Sequence, residues 1–243
     1  MASRLPLIRT DWHQAVVGMT GSGKTTLLRR MMSFWGRWLE SRAIPAYYHI
    51  YVLDTKHEGD FQGLGIHYDH LENLIEAPDQ SSRLIVYDPA EDEDSELYYE
   101  LFLAHIWSRQ LRDPITGRTA NIHVPSTIVV DELTSLELKT GLKSYLVETR
   151  GGRELHVWSR IMKRGRSAQV VLWNATQNPI YLPADFLRGA SQIIDFYLQN
   201  QADRDRMATY MGDTVRANPP GAHAYWWWNI KHPQNTYYSA NTL

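Results

Sequence analysis

Residues Gly18-Met19-Thr20-Gly21-Ser22-Gly23-Lys24-Thr25 read GxxxxGKT, between the apolar run Ala15-Val16-Val17 and the helix-forming stretch Thr26-Leu27-Leu28-Arg29-Arg30-Met31-Met32. A strand, a glycine-rich turn and a helix in that order make a phosphate-binding loop. The glycines let the backbone wrap a polyphosphate with its N–H groups inward, and the following helix turns its positive dipole end to the same charge. Gly18, Thr20, Gly21, Ser22, Gly23, Lys24, Thr25 and Thr26 are the expected nucleotide contacts. Among them Lys24 is expected to reach the β and γ phosphates, and the Thr25 hydroxyl to hold Mg²⁺.

Apolar runs with little alternation occur at residues 13–17, 47–53, 83–87, 126–130, 168–173 and 192–198. Strands buried on both faces have this pattern, which favours a parallel sheet covered by helices. Between them lie helix-like stretches at 25–40, 95–111, 154–164 and 202–211, with a weaker one at 136–148. The alternation predicts a three-layer α/β domain with a mostly parallel central sheet flanked by helices. Pro45, the turn Asp113-Pro114-Ile115-Thr116-Gly117, Gly151-Gly152 and Pro219-Pro220-Gly221 punctuate the connections. No linker or repeat divides the 243 residues, so a single domain over 1–243 is expected, with an extended tail at 1–12.

Several function classes are excluded by composition. The absence of cysteine rules out disulfides and thiolate-held metals. No apolar run approaches the roughly 18 residues of a membrane helix. Residues 1–9 lack the continuous apolar core of a secretory signal, so a cytoplasmic site of action is expected. A formal net charge of -2 argues against a surface that clings to nucleic acid everywhere. Charge is nonetheless uneven: Arg150, Arg153, Arg160, Lys163, Arg164 and Arg166 face one acid, Glu154, whereas Glu91-Asp92-Glu93-Asp94-Ser95-Glu96 is almost wholly acidic. The acidic run is read as a solvated helix start, capped by Ser95 or Asp94.

The strand Ser126-Thr127-Ile128-Val129-Val130 ends in Asp131-Glu132. Asp131 at the strand tip is placed to bind Mg²⁺ through its water shell, and Glu132 to polarise an attacking water. The strand ending at Asp88 stops in one acid before Pro89 and is read as a turn. Further on, Gln169-Val170-Val171-Leu172-Trp173-Asn174-Ala175-Thr176-Gln177-Asn178-Pro179 carries a buried strand into Ala-Thr-Gln. Gln177 is either a sensor of the γ phosphate or a polar strand end satisfied by loop backbone.

Taken together these residues resemble the motor domain of the FtsK/HerA superfamily of ring-forming DNA-pumping ATPases. The resemblance rests on the phosphate loop, Asp131-Glu132, the Arg-bearing turn Ser159-Arg160-Ile161-Met162-Lys163-Arg164-Gly165-Arg166, and the strand ending Ala175-Thr176-Gln177-Asn178-Pro179. Asp54-Thr55-Lys56 is similar to the family's Asp-Pro-Lys, with Thr55 in place of proline, and residues 190–207 with Pro219-Pro220-Gly221 are similar to its last core strands and turn. The resemblance implies a RecA-like P-loop NTPase fold, ATP and Mg²⁺ as cofactors, and a homo-hexamer with ATP between subunits. One subunit's arginine then completes its neighbour's site: Arg166 is the first candidate, with Arg160 and Arg164 as alternatives. It also implies double-stranded DNA as cargo. A chain of this size resembles the genome-packaging ATPases of tailless, internal-membrane viruses, whose partners include capsid-vertex or membrane proteins and whose location is the host cytoplasm or the virion.

DNA-gripping loops are sought at residues 58–65 and 136–143, with Lys139 and Lys143 as phosphate contacts. Tyr225-Trp226-Trp227-Trp228 alternates faces, serving core or subunit packing on one reading and partner docking on another. Competing functions are a cellular or plasmid DNA pump, a nucleotide-gated recruitment module, and a P-loop kinase or GTPase. The Asp131-Glu132 pair suits water activation better than transfer to a metabolite, and no NKxD guanine-reading motif occurs.

Overall fold

The computed structural model describes residues 12–41, 49–56, 59–76, 84–89, 95–108, 126–133, 146–148 and 154–238. In chain order the strands are β1 (Gln14–Val17), β2 (His49–Leu53), β3 (Ile66–Tyr68), β4 (Leu84–Tyr87), β5 (Ser126–Val130), β6 (Leu146–Glu148), β7 (Glu154–His156), β8 (Val170–Thr176), β9 (Gln192–Asp195), β10 (Tyr225–Asn229) and β11 (His232–Tyr238). The helices are α1 (Lys24–Ser41), α2 (Leu71–Glu76), α3 (Ser95–Ser108), α4 (Val157–Ala168), α5 (Ala184–Gly189) and α6 (Gln201–Met211).

Every residue of β1, β2, β5, β8 and β9 is buried, which is why their sequences do not alternate in polarity. They lie inside a nine-stranded sheet of order β11-β10-β9-β1-β8-β5-β2-β4-β3. From β9 to β3 all neighbours are parallel; β10 and β11 add an antiparallel edge. Side chains on one face, Val16, Val52, Val129, Val171 and Ile194, pack on Leu27, Leu28, Met31 and Met32 of α1. Those on the other face, Val17, Leu53, Val130, Leu172 and Ile193, pack on α3, α4 and α6 through Phe102, Ile106, Ile161 and Met207. The result is the expected three-layer α/β sandwich with a mostly parallel central sheet.

Strand order is what builds a site. β1 is followed in the chain by β2 but lies beside β8, with β5 next and β2 beyond it. Register aligns the strand ends: Val17 pairs with Thr176, Val130 with Asn174, and Leu53 with Val130. Segments that leave β1, β8, β5 and β2 therefore emerge side by side at the carboxyl edge, where open α/β sheets bind ligands.

Several expectations are corrected. Residues 154–156, expected to open a helix, form β7 instead, because Glu148 pairs with Glu154 and Leu146 with His156 in an antiparallel ribbon; α4 starts only at Val157. The same ribbon makes residues 146–148 strand rather than the end of a helix. The strand expected at 168–173 is displaced: α4 runs to Ala168, and Gln169 caps it in the left-handed region (φ 57°, ψ 32°), its N–H donating to the Gly165 and Arg166 carbonyls. β9 stops at Asp195, where the Phe196 N–H turns to the Val17 carbonyl. The segments β3, α2, α5 and β11 were not foreseen; the first three are too short to show a period. Pro45, Asp113 to Gly117, residues 136–145 with Lys139 and Lys143, Gly151-Gly152 and the tail before Trp12 lie outside the described residues. In the aromatic run, Tyr225 and Trp227 are buried in the α1-side core, while Trp226 and Trp228 are half-buried against the opposite core, with Trp226 Nε1–H donating to the Ala217 carbonyl at 3.0 Å.

Candidate nucleotide site

The loop after β1 is shaped by glycine. Gly18 has φ 153°, and a Cβ there would lie 2.5 Å from Phe196 Cβ, so no other residue fits. Gly23 has φ 106° and supplies the first carbonyl of α1, accepting the Leu27 N–H at 2.9 Å. The loop is anchored on both sides of β1: Gly18 N–H donates to the Thr176 carbonyl at 3.1 Å and Met19 N–H to the Tyr197 carbonyl at 2.9 Å.

Lys24 folds back over this loop. Its Nζ donates to the Gly18 and Met19 carbonyls at 2.6 and 3.1 Å, and the residue is only 4% exposed. Burial, opposed by nearby Glu132, brings its ammonium down to about 8. Thr25, at the first turn of α1, donates its hydroxyl to Asp131 at 3.0 Å. Asp131 is fully buried, and Lys56 Nζ meets its other oxygen at 2.8 Å. Glu132 is likewise buried, its Oε1 accepting the Gln177 backbone N–H at 3.2 Å. The Gln177 side-chain oxygen in turn accepts the Thr20 hydroxyl at 2.6 Å. Thr55 ties the end of β2 into the group by donating its hydroxyl to the Glu132 carbonyl at 3.1 Å.

Beside these groups is a cavity of about 450 Å³ whose walls include Thr20, Lys24, Thr25, Lys56 and Gln177. That is the size of small-ligand clefts. Gly21, Gly23 and Thr26 also line it, whereas Gly18 and Ser22 support the loop from beneath, with the Ser22 hydroxyl buried. Thus Thr20, Gly21, Gly23, Lys24, Thr25, Thr26, Asp131, Glu132 and Gln177 lie together, through pairs that include residues 106 and 157 positions apart in the chain.

Arg166 does not join them. It is exposed near the C-terminus of α4, on the far side of β8 from Gln177. Seven strand residues at ~3.3 Å each separate the two ends by about 20 Å. Arg164 is exposed on the same helix, and Lys163 pairs with Asp185 at 2.9 Å. The Arg160 guanidinium lies over the Trp107 ring, 5.9 Å from its centroid. Of the suggested DNA-gripping segment 58–65, Asp60 lines the cavity and its carbonyl accepts a hydrogen bond from Arg29, Phe61 is buried, and Gln62, Gly63 and Gly65 are exposed.

Four wall residues, Arg30, Lys56, Asp60 and His223, are not among the nucleotide contacts expected from the sequence. Lys56 was noted only as part of a motif; its contact with Asp131 requires β2 and β5 to be neighbours. His223 lies across the loop from Gly23, in the left-handed region at φ 57°, which few non-glycine residues adopt. A non-glycine residue there carries no local sequence signal.

No family model and no curated protein matches this sequence. Solved structures do. The chain is similar to the genome packaging NTPase B204 from Sulfolobus turreted icosahedral virus 2 in complex with ATP-gammaS, at 14% identity over 95% of this chain and 98% of that one, TM-score 0.61. It is similar to the pCW3 conjugation coupling protein TcpA with ATPgS, at 16% identity over 94% of this chain and 59% of that one, TM-score 0.53. It also resembles the cytoplasmic domain of the Thermomonospora curvata type VII secretion ATPase EccC, at 19% identity over 92% of this chain and 24% of that one, TM-score 0.52. Together with the loop after β1 and the mostly parallel sheet, these likenesses show that the chain has an α/β P-loop NTPase fold.

Proposed function

We propose that this chain is an ATP-hydrolysing translocase for double-stranded DNA, acting as one motor domain that packages a viral genome into a preformed capsid. The observation that carries the catalytic part is the chain of contacts Thr20 to Gln177 to Glu132, which links the phosphate loop to a buried carboxylate. The cargo is supported by likeness in fold, along nearly the whole of both chains, to an NTPase described as genome packaging.

In this reading Lys24 leaves the two loop carbonyls for the β and γ phosphates, its charge favoured by the anion it meets. The Thr25 hydroxyl and Asp131 carboxylate are hard oxygen donors 3.0 Å apart, a set that fits Mg²⁺, and they are the residues that would hold it. Bound there, the ion supplies charge neutralisation on the phosphoryl oxygens. Glu132 orients the attacking water and takes its proton. Gln177, its Oε1 held by the Thr20 hydroxyl, donates from its amide Nε2 to the γ phosphate and so reports its presence.

Arg166 is about 20 Å from its own loop, so as a finger it serves a neighbouring copy; this supports a ring, which we read as a hexamer. Arg164, exposed on the same helix, is the alternative, whereas Arg160 is already engaged with Trp107. A ring grips DNA by phosphate contacts alone, which an overall charge of -2 permits. Its partners would be a capsid vertex or membrane protein, in the host cytoplasm and then the virion.

The test is ATP turnover with and without long duplex DNA. Stimulation by DNA, with Glu132→Gln still binding ATP but not hydrolysing it, supports the motor. Turnover indifferent to DNA of any length under ring-forming conditions rejects it.

A further inference from the structure

Two lysines face the same cavity, and they have different partners. Lys24 is bound to neutral backbone carbonyls of its own loop, whereas Lys56 is bound to a charge, with its Nζ 2.8 Å from Asp131 Oδ2. Asp131 is fully buried, and the Lys56 side chain is 15% exposed. A buried carboxylate requires such a counter-charge. Lys56 stands on a short, pinned turn. Its N–H donates to Asp54 Oδ1 at 3.3 Å, and Thr55 is tied to the Glu132 carbonyl, so the backbone is fixed while the four-carbon side chain can swing.

We propose that Lys56 is a terminal-phosphate switch: it neutralises Asp131 while the cavity lacks a triphosphate, and moves onto the γ phosphate when a metal-bound nucleoside triphosphate enters. The inference rests on the nucleotide-site reading above. A divalent cation held by Asp131 neutralises the same carboxylate and repels the ammonium, so it weakens the hold of Asp131 on Lys56. Gln177, which also borders the cavity, marks the side on which the terminal phosphate lies, and Lys56 lines the same space. A diphosphate offers no anion there. Lys56 thereby discriminates triphosphate from diphosphate, whereas Lys24 meets both the β and the γ phosphates.

The test measures calorimetric binding of Mg-ATPγS and Mg-ADP to the full chain and to Lys56→Met, Lys56→Gln and Lys56→Arg. A charge-assisted contact of this kind changes affinity by roughly 10- to 100-fold. The wild type is expected to prefer ATPγS, Lys56→Met to lose at least tenfold of that preference through weaker ATPγS binding, with ADP affinity within about twofold, and Lys56→Arg to recover part of it. Should Lys56→Met fail to fold with Asp131 uncompensated, Lys56→Gln, which keeps a donor for Asp131 without the charge, makes the same comparison. Equal loss for both nucleotides, or no change in preference, overturns the switch and leaves Lys56 a structural counter-ion. A wild type that binds neither nucleotide overturns the nucleotide site itself, and the switch with it.

Discussion

The Thr20 hydroxyl donates to the Gln177 side-chain oxygen at 2.6 Å, across 157 positions of sequence. The bond joins the phosphate loop after β1 to the end of β8, and the same glutamine's backbone N–H holds the buried Glu132. One residue thus touches both the loop proposed to cradle phosphate and the carboxylate proposed to activate water.

Gln177→Ala is therefore expected to spare binding and impair chemistry. Single-turnover hydrolysis should fall by roughly 10²-fold, the scale for losing a group that positions a reactant, while ATPγS affinity stays within about threefold. Thr20→Val, which releases the side chain without removing it, should cost less. Equal losses in binding and turnover for Gln177→Ala would make the residue a scaffold for the loop and nothing more.

Lys24 sets a pH limit on binding. Burial first, and Lys56 among the other causes, hold its ammonium down to about 8 against a usual 10.5. The charged form grips phosphate, so ATPγS affinity should be flat between pH 7 and 8 and weaken by up to about tenfold per unit above that. The stability consequence has the opposite slope. Between about 8 and 10.5 the unfolded chain binds this proton and the native chain does not, so the penalty of burying Lys24 is fully present below about 8 and is relieved as pH rises. Calorimetric titration at pH 7, 8 and 9 checks the binding arm; unaltered affinity at pH 9 contradicts it.

How much of this was legible in the sequence follows strand ends. Val17, Val130 and Thr176 are where apolar runs give way to polar motifs, so the phosphate loop, Asp131-Glu132 and Gln177 could each be read locally. Sheet order could not, and the Lys56 contact with Asp131 exists only because β2 lies beside β5. Glu154-Leu155-His156 suits a helix by local pattern, yet pairing with residues 146–148 makes it a strand, since tertiary pairing outweighs weak propensity. Asn174 and Thr176 look like a strand's end, but both are buried in a ladder continued by β1 and by the Gly18 N–H. His223 reaches the cavity through a left-handed turn that nothing adjacent to it announces.

Glu100 offers a stability test remote from the cavity. On α3 it is 2% exposed, its Oε2 buried without a hydrogen-bond partner among the described residues, and burial pushes its carboxyl up to about 7. Between 4.5 and about 7 the native chain keeps a proton that the unfolded chain loses, so stability falls as pH rises through this window. Glu100→Gln removes the ionisation. It should stabilise the protein at pH 8 by up to about 3 kcal/mol, at 1.36 kcal/mol per pH unit, and change little at pH 4.5. Urea midpoints at the two pH values decide the matter; equal shifts at both would point to packing rather than charge.

The position of Arg166 gives the sharpest test of assembly. A finger about 20 Å from its own loop cannot act there without moving α4 off β8, whose junction is tight: a Cβ on Gly165 would lie 2.1 Å from the Val170 carbonyl. Arg166→Ala and Lys24→Ala should each be inactive alone, one lacking the donated cation and the other the phosphate grip. Mixed in one ring, some seams pair an intact loop from an Arg166→Ala subunit with an intact arginine from a Lys24→Ala subunit. Those seams should hydrolyse, restoring a measurable fraction of turnover that peaks near equal mixing. A finger contributes ~10³ or more in rate, so even a few productive seams stand out above the single variants. Mixed rings demonstrated by differential tagging, yet silent at every ratio, would exclude Arg166 as the group shared between copies and shift attention to Arg164, also exposed on α4.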